Sequence, residues 1–328
     1  MRAATTGIFF ALVLAVPACD DGGGGPPPAQ ESAPDFGPTA AYNRRLLFLG
    51  PGGELPAAAV FDFAALSDSI GIRRGARARL GDAEAWRGVM DAGWEMEPMR
   101  EPWRLVPHGS LTLMVGETGE LAALVFRDSI PARLELGQAL AEHSPDVGTQ
   151  LVLRTARLTR NGEDLAGIVL DVQLGRAVSA ALAERDAVSR TAGDTVAGDS
   201  LAPSPTPIAL PGAEALLLND EGYYAVLATA SGGSLAWIRS EERSDVRPGA
   251  RLEPTAWSPA EDTVQVPTAW RIVSADGLLN GELTARSFDG NTLRGTGSLE
   301  ALSYALVTGW IEDRTARRDV FGLVRHVR

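Results

Sequence analysis

The sequence predicts an all-β, mainly antiparallel protein built as two β-barrel or β-sandwich units with one or two short helices. Three observations predict it. Apolar and polar residues alternate with period two along several stretches. Glycine-containing turn signals join such stretches at hairpin spacing. A segment rich in Ala, Ser, Thr and Pro then separates two β-rich parts of the chain.

The elements follow in order from the N-terminus. Arg2 precedes an uncharged apolar run over residues 7–16. A bilayer crossing takes about 20 apolar residues, so the run fits the core of a signal peptide spanning residues 1–18. It closes on Val16-Pro17-Ala18-Cys19. This tetrapeptide resembles the bacterial lipobox, in which a small residue precedes a cysteine that is lipidated and becomes the new N-terminus. Cys19 is the only cysteine of the chain. Two or three acyl chains, each buried CH₂ contributing about 0.8 kcal/mol, anchor a protein stably. Residues 19–43 read as a lipidated flexible tether, since Gly22 to Pro28 and the acids around them bury no apolar surface.

Residues 44–182 read as the first β unit and 208–328 as the second, with 183–207 as a polar linker or long loop ending in Pro203-Ser204-Pro205-Thr206-Pro207; the alternative is one larger β fold carrying that segment as a disordered insertion. Ile168, Leu170, Val172 and Leu174 alternate with polar neighbours, as do residues 264–272 and 279–286. Pro267 lacks an N–H and argues for an edge position there. Hairpins are predicted for 111–126 about Gly116 to Gly119, for 151–174 about Asn161-Gly162, for 223–240 about Ser231 to Ser234, and for 304–327. Asp82 is placed to cap a short helix carrying Trp86, Val89 and Met90 on one face and ending at Gly93. Residues 138–143 suggest a second helical turn or two.

Composition excludes several chemistries. The formal charge is −12, a poor match for nucleic acid. All 30 Lys+Arg residues are arginine, so no lysine is available as Schiff base or general base. With no cysteine after Cys19, disulfides and thiolate metal sites are excluded. His108, His143 and His326 show no metal-ligand spacing, and a surface or structural role is expected for each. Gly198-Asp199-Ser200-Leu201 spells a serine-esterase signature but lies in the linker, without the preceding strand that the motif requires. The pairs Glu241/Glu242, Glu261/Asp262 and Glu312/Asp313 are adjacent, so on a strand their members point to opposite faces. No cofactor and no metal is expected.

Residues 94–104 gather Trp94, Met96, Met99 and Trp103 among prolines and alternating charges. This is either a stiff loop gripping an apolar ligand at a pocket mouth or a loop sealing the end of a barrel. Trp257, in the loop-like Trp257-Ser258-Pro259, joins the ligand-binding candidates. No catalytic residue is assigned.

Pro267 to Ile272, Leu279 to Ala285 and Tyr304 to Trp310 together resemble the C-terminal region of lipocalin-like proteins related to carotenoid hydratases. The resemblance covers roughly the last third of the chain and implies a two-domain β-barrel fold that handles long apolar molecules. The hydratases' histidine and acid cluster has no counterpart among these residues.

The sequence thus points to a membrane-anchored bacterial envelope lipoprotein. The expected module is non-catalytic and binds an apolar or amphipathic ligand or a partner protein. One alternative is a lipocalin-like hydratase or isomerase using Asp/Glu acid catalysis; another is a structural or assembly lipoprotein. The expected location is the periplasmic face of the inner or outer membrane, or the cell surface. The expected partners are the membrane, through the anchor, and a lipid-like molecule or envelope protein.

Overall fold

The computed structural model describes residues 40–50, 57–67, 72–82, 84–96, 105–108, 111–115, 121–126, 132–146, 149–160, 162–174, 212–230, 233–241, 243–260, 264–293 and 300–328. The predicted signal peptide, Cys19, most of the predicted tether and the predicted linker lie outside them. The described residues are antiparallel strand joined by turns, in two sheets.

The first sheet is built from β1 (Ala40–Gly50), β2 (Ala57–Ser67), β3 (Ile72–Gly81), β4 (Trp86–Met96), β5 (Leu105–His108), β6 (Leu111–Val115), β7 (Leu121–Phe126), β8 (Ala132–Asp146), β9 (Thr149–Arg160) and β10 (Glu163–Leu174). Its spatial order is β4-β3-β2-β1-β10-β9-β8-β7-β6-β5. The second sheet takes β11 (Gly212–Leu218), β12 (Tyr224–Ala230), β13 (Gly233–Arg239), β14 (Ser244–Pro248), β15 (Arg251–Pro259), β16 (Gln265–Val273), β17 (Asn280–Leu293), β18 (Glu300–Glu312) and β19 (Arg317–Val327). Its order is β14-β13-β12-β11-β19-β18-β17-β16-β15. In both, the first strand pairs with the last, so the chain's two passes meet at the centre of each sheet.

All four predicted hairpins form. The one about Asn161-Gly162 joins β9 to β10, with Gly162 at φ 81°, the left-handed conformation such a turn requires.

The two predicted helices do not form, and β-bulges explain both misreadings. Asp82 does cap a turn, but a hairpin turn: its Oδ1 accepts from the Glu84 and Ala85 amides at 3.0 and 2.9 Å. The chain then continues as β4. Opposite it, Ala78 pairs with Met90 but Arg79 with Gly88, so Val89 is an extra residue. The insertion breaks the period of two and makes Trp86, Val89 and Met90 look helical in spacing. Residues 138–143 belong to β8, whose ladder with β9 is irregular between Leu136, Ala139 and Ala141.

Alternation assigns each sheet an inner face and a shared one. On the shared face, Leu47, Leu49, Leu151, Leu153, Leu170 and Val172 of the first sheet pack against Leu216, Leu218, Trp237, Tyr304, Leu306 and Leu323 of the second. The second sheet curls about its own core, in which Ala215, Leu217, Ile238, Trp270, Leu283 and Val324 are all buried. The curl brings β15 against β11, β12 and β13.

A line of charge crosses the shared apolar face. Arg45 and Asp62 are cross-strand partners on β1 and β2, and Glu214 and Arg325 on β11 and β19. Arg45 Nη1 donates to Glu214 Oε1. Arg325 Nε lies 3.3 Å from Asp62 Oδ1, and its Nη1 3.5 Å from Glu214 Oε2. Arg45 Nε lies 4.0 Å from Asp62 Oδ1, which closes an alternating ring of two cations and two anions. The Tyr304 hydroxyl donates to Asp62 Oδ2 at 2.9 Å, and Trp86 stacks on the Tyr304 ring at 5.9 Å. Arg79 and Asp289 extend the line at 3.5 Å. Burial alone would lower the Arg325 pKa, but Asp62 and Glu214 hold it above the ordinary arginine value. No ring member is more than 3% exposed. Such a ring costs desolvation to bury, but removing one member leaves an uncompensated buried charge. It therefore fixes how the two sheets meet.

Candidate functional site

The sequence-predicted site residues fall in different places. Trp94 and Met96 lie in β4, an edge strand of the first sheet. Met99, Trp103 and Cys19 lie outside the described residues. Trp257, expected in a loop, sits instead in β15, an edge strand of the second sheet, beside a register shift between Ala256 and Trp257. The bulge explains the loop-like sequence.

Trp257 stands where the hydrogen-bond ladder of the second sheet opens between β16 and β17. β16 pairs with β17 only from Ala269↔Thr284 to Val273↔Asn280. Its earlier residues pair with β15 alone, as at Trp257↔Pro267. Pro267 thus lies where β16 has a ladder on one side, which accommodates its missing N–H even though β16 is not the outermost strand. The freed half of the β15–β16 hairpin leans across β17. A Cβ on Gly290 would meet Val266 Cγ1 at 2.3 Å, so glycine is what permits the approach.

The opening is lined from three sides. Phe288 opposes Ala305 in the β17–β18 ladder, and Ala305 belongs to the inner core, so Phe288 faces the same interior. His326 is two residues from Val324 and shares that face, opposite Ser303. The Trp257 indole meets the His326 imidazole edge-on at 6.0 Å, and the Arg328 guanidinium lies 5.5 Å from the centre of the indole ring. Trp257 and Phe288 are 41% and 37% exposed, unusual for large apolar side chains among those whose burial is described.

The electrostatics of the opening are simple. His326 is buried, and burial, aided by Arg328 and Arg325, lowers its pKa to about 4. The imidazole is therefore neutral at physiological pH and offers one donor and one acceptor in an apolar rim. The charges acting on it are cationic. The buried carboxylates Asp62, Asp171, Glu214 and Asp313 are each engaged by arginine elsewhere in the fold. The other end of the second core is sealed by such an arrangement. Burial would raise the Asp313 pKa, but the Thr315 hydroxyl and amide, the Ala316 amide and Arg318 hold it at about 2. Arg318 also lies over the Tyr223 ring at 4.7 Å.

The other histidines stay apart from this opening. His143, in β8, packs its ring 5.6 Å from Trp237, and burial lowers its pKa. His108 ends β5. No group of three or more potential metal ligands occurs among the described residues. Sequence reading singled out Trp257 but not Phe288 or His326, which the structure places near it; the proline at 267 was the available signal that the sheet parts there.

Comparison with solved structures gives the class of fold. An AttH protein of Nitrosomonas europaea, provisionally so named, superposes on 88% of this chain and 92% of its own, with a TM-score of 0.52 and 11% identity. Kievitone hydratase from Nectria haematococca covers 88% of each chain, with a TM-score of 0.49 and 14% identity. No family model and no curated protein matches the sequence. At such identities the likeness shows the fold alone: an all-β, antiparallel architecture of the kind the lipocalin-like resemblance implied.

Proposed function

We propose that the protein is a lipid-anchored envelope protein that binds an apolar or amphipathic ligand at the opening between β16 and β17. One observation carries this reading. The two exposed large apolar side chains, Trp257 and Phe288, flank the place where the sheet parts over a buried, neutral His326. Ligand sites combine an apolar lining with few polar groups, and this opening has that make-up. An imidazole with no carboxylate partner among the described residues suits orientation of a bound hydroxyl or carbonyl better than proton transfer, which supports a binding role over a hydratase or isomerase. The lipobox-like Val16-Pro17-Ala18-Cys19 supports placement at a membrane surface, where apolar ligands are found.

The test uses an uncharged probe, so that ionic contacts play no part. The whole chain, held in phosphatidylcholine nanodiscs, is photolabelled with a diazirine-bearing long-chain alcohol and mapped by peptide mass spectrometry. Label concentrated in β15 and β17, and lost in Trp257→Ala, supports the reading. Label spread over the chain, or unaffected by the substitution, rejects it.

A further inference from the structure

The rim of the Trp257 opening carries a positive charge with no carboxylate against it. The β18–β19 ladder runs one residue past Val327: the Arg328 amide donates to the Ala301 carbonyl and the Ala301 amide to the Arg328 carbonyl, both at 2.9 Å. Alternation therefore places the Arg328 side chain on the face of Val324 and His326. Burial falls outward along that face, from Val324 and His326, both buried, to an exposed Arg328. The Arg328 guanidinium lies over the exposed Trp257 indole, 5.5 Å from the ring centre.

Acids outnumber arginines in this chain by 42 to 30, so an arginine readily finds a carboxylate. Others in the second sheet do. Arg243 and Arg247 engage Asp245, Arg251 engages Glu253, and Arg318 engages Asp313. Arg328 engages no carboxylate among the described residues. A second arginine–tryptophan pair gives the contrast. Arg317 lies 4.0 Å from the centre of the Trp310 ring, but its ladder partner is Glu312 and that of Trp310 is Asp319. The ladder partners of Arg328 and Trp257 are Ala301 and Pro267, both uncharged.

A guanidinium stacked on an aromatic face uses its π surface and keeps its in-plane N–H donors for an oxyanion. The indole beneath it offers apolar area. One cation beside one open indole matches one anionic head and the chain attached to it. Resting on the binding role proposed above for this opening, we infer that its ligand is a single-chain amphiphile with an anionic head, the head held by Arg328 and the chain laid on Trp257 and Phe288. All three side chains are open to solvent, so the ligand covers surface and displaces no packed residue.

Competition against the uncharged diazirine alcohol tests the inference, with the whole chain in phosphatidylcholine nanodiscs. The competitors are oleoyl lysophosphatidic acid and monooleoylglycerol, which differ only by the phosphate. The anionic lipid is expected to displace the label from β15 and β17 at about three- to fivefold lower bilayer content, the size of effect a solvent-exposed ion pair gives. Arg328→Gln should abolish that preference, and Arg317→Gln should leave it intact. Two-chain phosphatidic acid, at the same bilayer charge, should compete poorly; if it matches the lysolipid, the ligand is bilayer lipid and the single-chain assignment is overturned. Equal displacement by the two oleoyl lipids in the unsubstituted protein overturns the inference, and needs no variant to fold. So does a preference that survives in folded Arg328→Gln. In both cases an alcohol label that still falls on β15 and β17 leaves the binding role standing, whereas an alcohol that never labels them rejects both.

Discussion

The ring on the shared face joins the two sheets, the opening beneath Trp257 belongs to the second alone, and they are opposites. In the ring, Arg45, Asp62, Glu214 and Arg325 are charged, buried and mutually engaged. At the opening, Trp257 and Phe288 are apolar and exposed, and the one titratable group within is neutral. The ring pairs its charges with one another. The opening has left apolar surface in water, which a fold does at a cost unless something covers it. In the proposed reading, the buried charge holds the sheets together and the exposed apolar surface is where the ligand binds.

That contrast breaks most sharply at the ring. Arg325→Ala should cost about 3–5 kcal/mol of unfolding free energy, since Asp62 and Glu214 lose a shared cation. Urea unfolding at pH 7 would measure it. Replacing Arg45 by Met and Glu214 by Leu together should recover much of the loss of either alone, because an apolar pair suits the surrounding leucines. If both single substitutions cost under about 1 kcal/mol, the ring does not fix the sheets.

Next in size is the pH dependence of His326. Its folded pKa, about 4, lies below the unfolded value near 6.5. Between these values the unfolded chain binds the extra proton, so stability is complete above about pH 6.5 and falls as pH drops toward 4. The loss is up to about 3 kcal/mol and levels off below that range. His326→Gln should remove this component from a pH series of urea unfolding curves. A series that is the same with and without the imidazole contradicts the burial of His326.

Smaller still is Gly290→Ala. The added Cβ would meet Val266 Cγ1 at 2.3 Å, and pushing the hairpin outward should cost about 1–3 kcal/mol. Thermal unfolding gives the magnitude, and faster hydrogen exchange in β16 than in β12 would locate it.

How much of this was legible in the sequence follows the same division. The hairpins were, because alternation and turn chemistry are local. β4 and the middle of β8 were misread because single-residue bulges shift the apolar period from two toward that of a helix. The ring had a signal that went unused. Asp62 in Val60-Phe61-Asp62-Phe63, Glu214 in Ala213-Glu214-Ala215 and Arg325 in Val324-Arg325-His326 are charges set inside apolar strands. Apart from Arg45, the β1 neighbour of Asp62, their partners lie 111 to 263 residues away, so nothing local could pair them. Trp257 was legible as an outlying tryptophan, and Phe288 was not, because only the parting of β16 from β17 leaves it exposed.

The measurement closest to the central claim is the affinity of the whole chain, in nanodiscs, for a long-chain alcohol, with and without Trp257→Ala, alongside the unfolding free energy of each. The account predicts a loss of affinity of about tenfold, the worth of one aromatic contact, with stability changed by less than about 1 kcal/mol. Unchanged affinity, or affinity lost only in step with a larger fall in stability, would contradict it: Trp257 would then be part of the fold and not of a binding site.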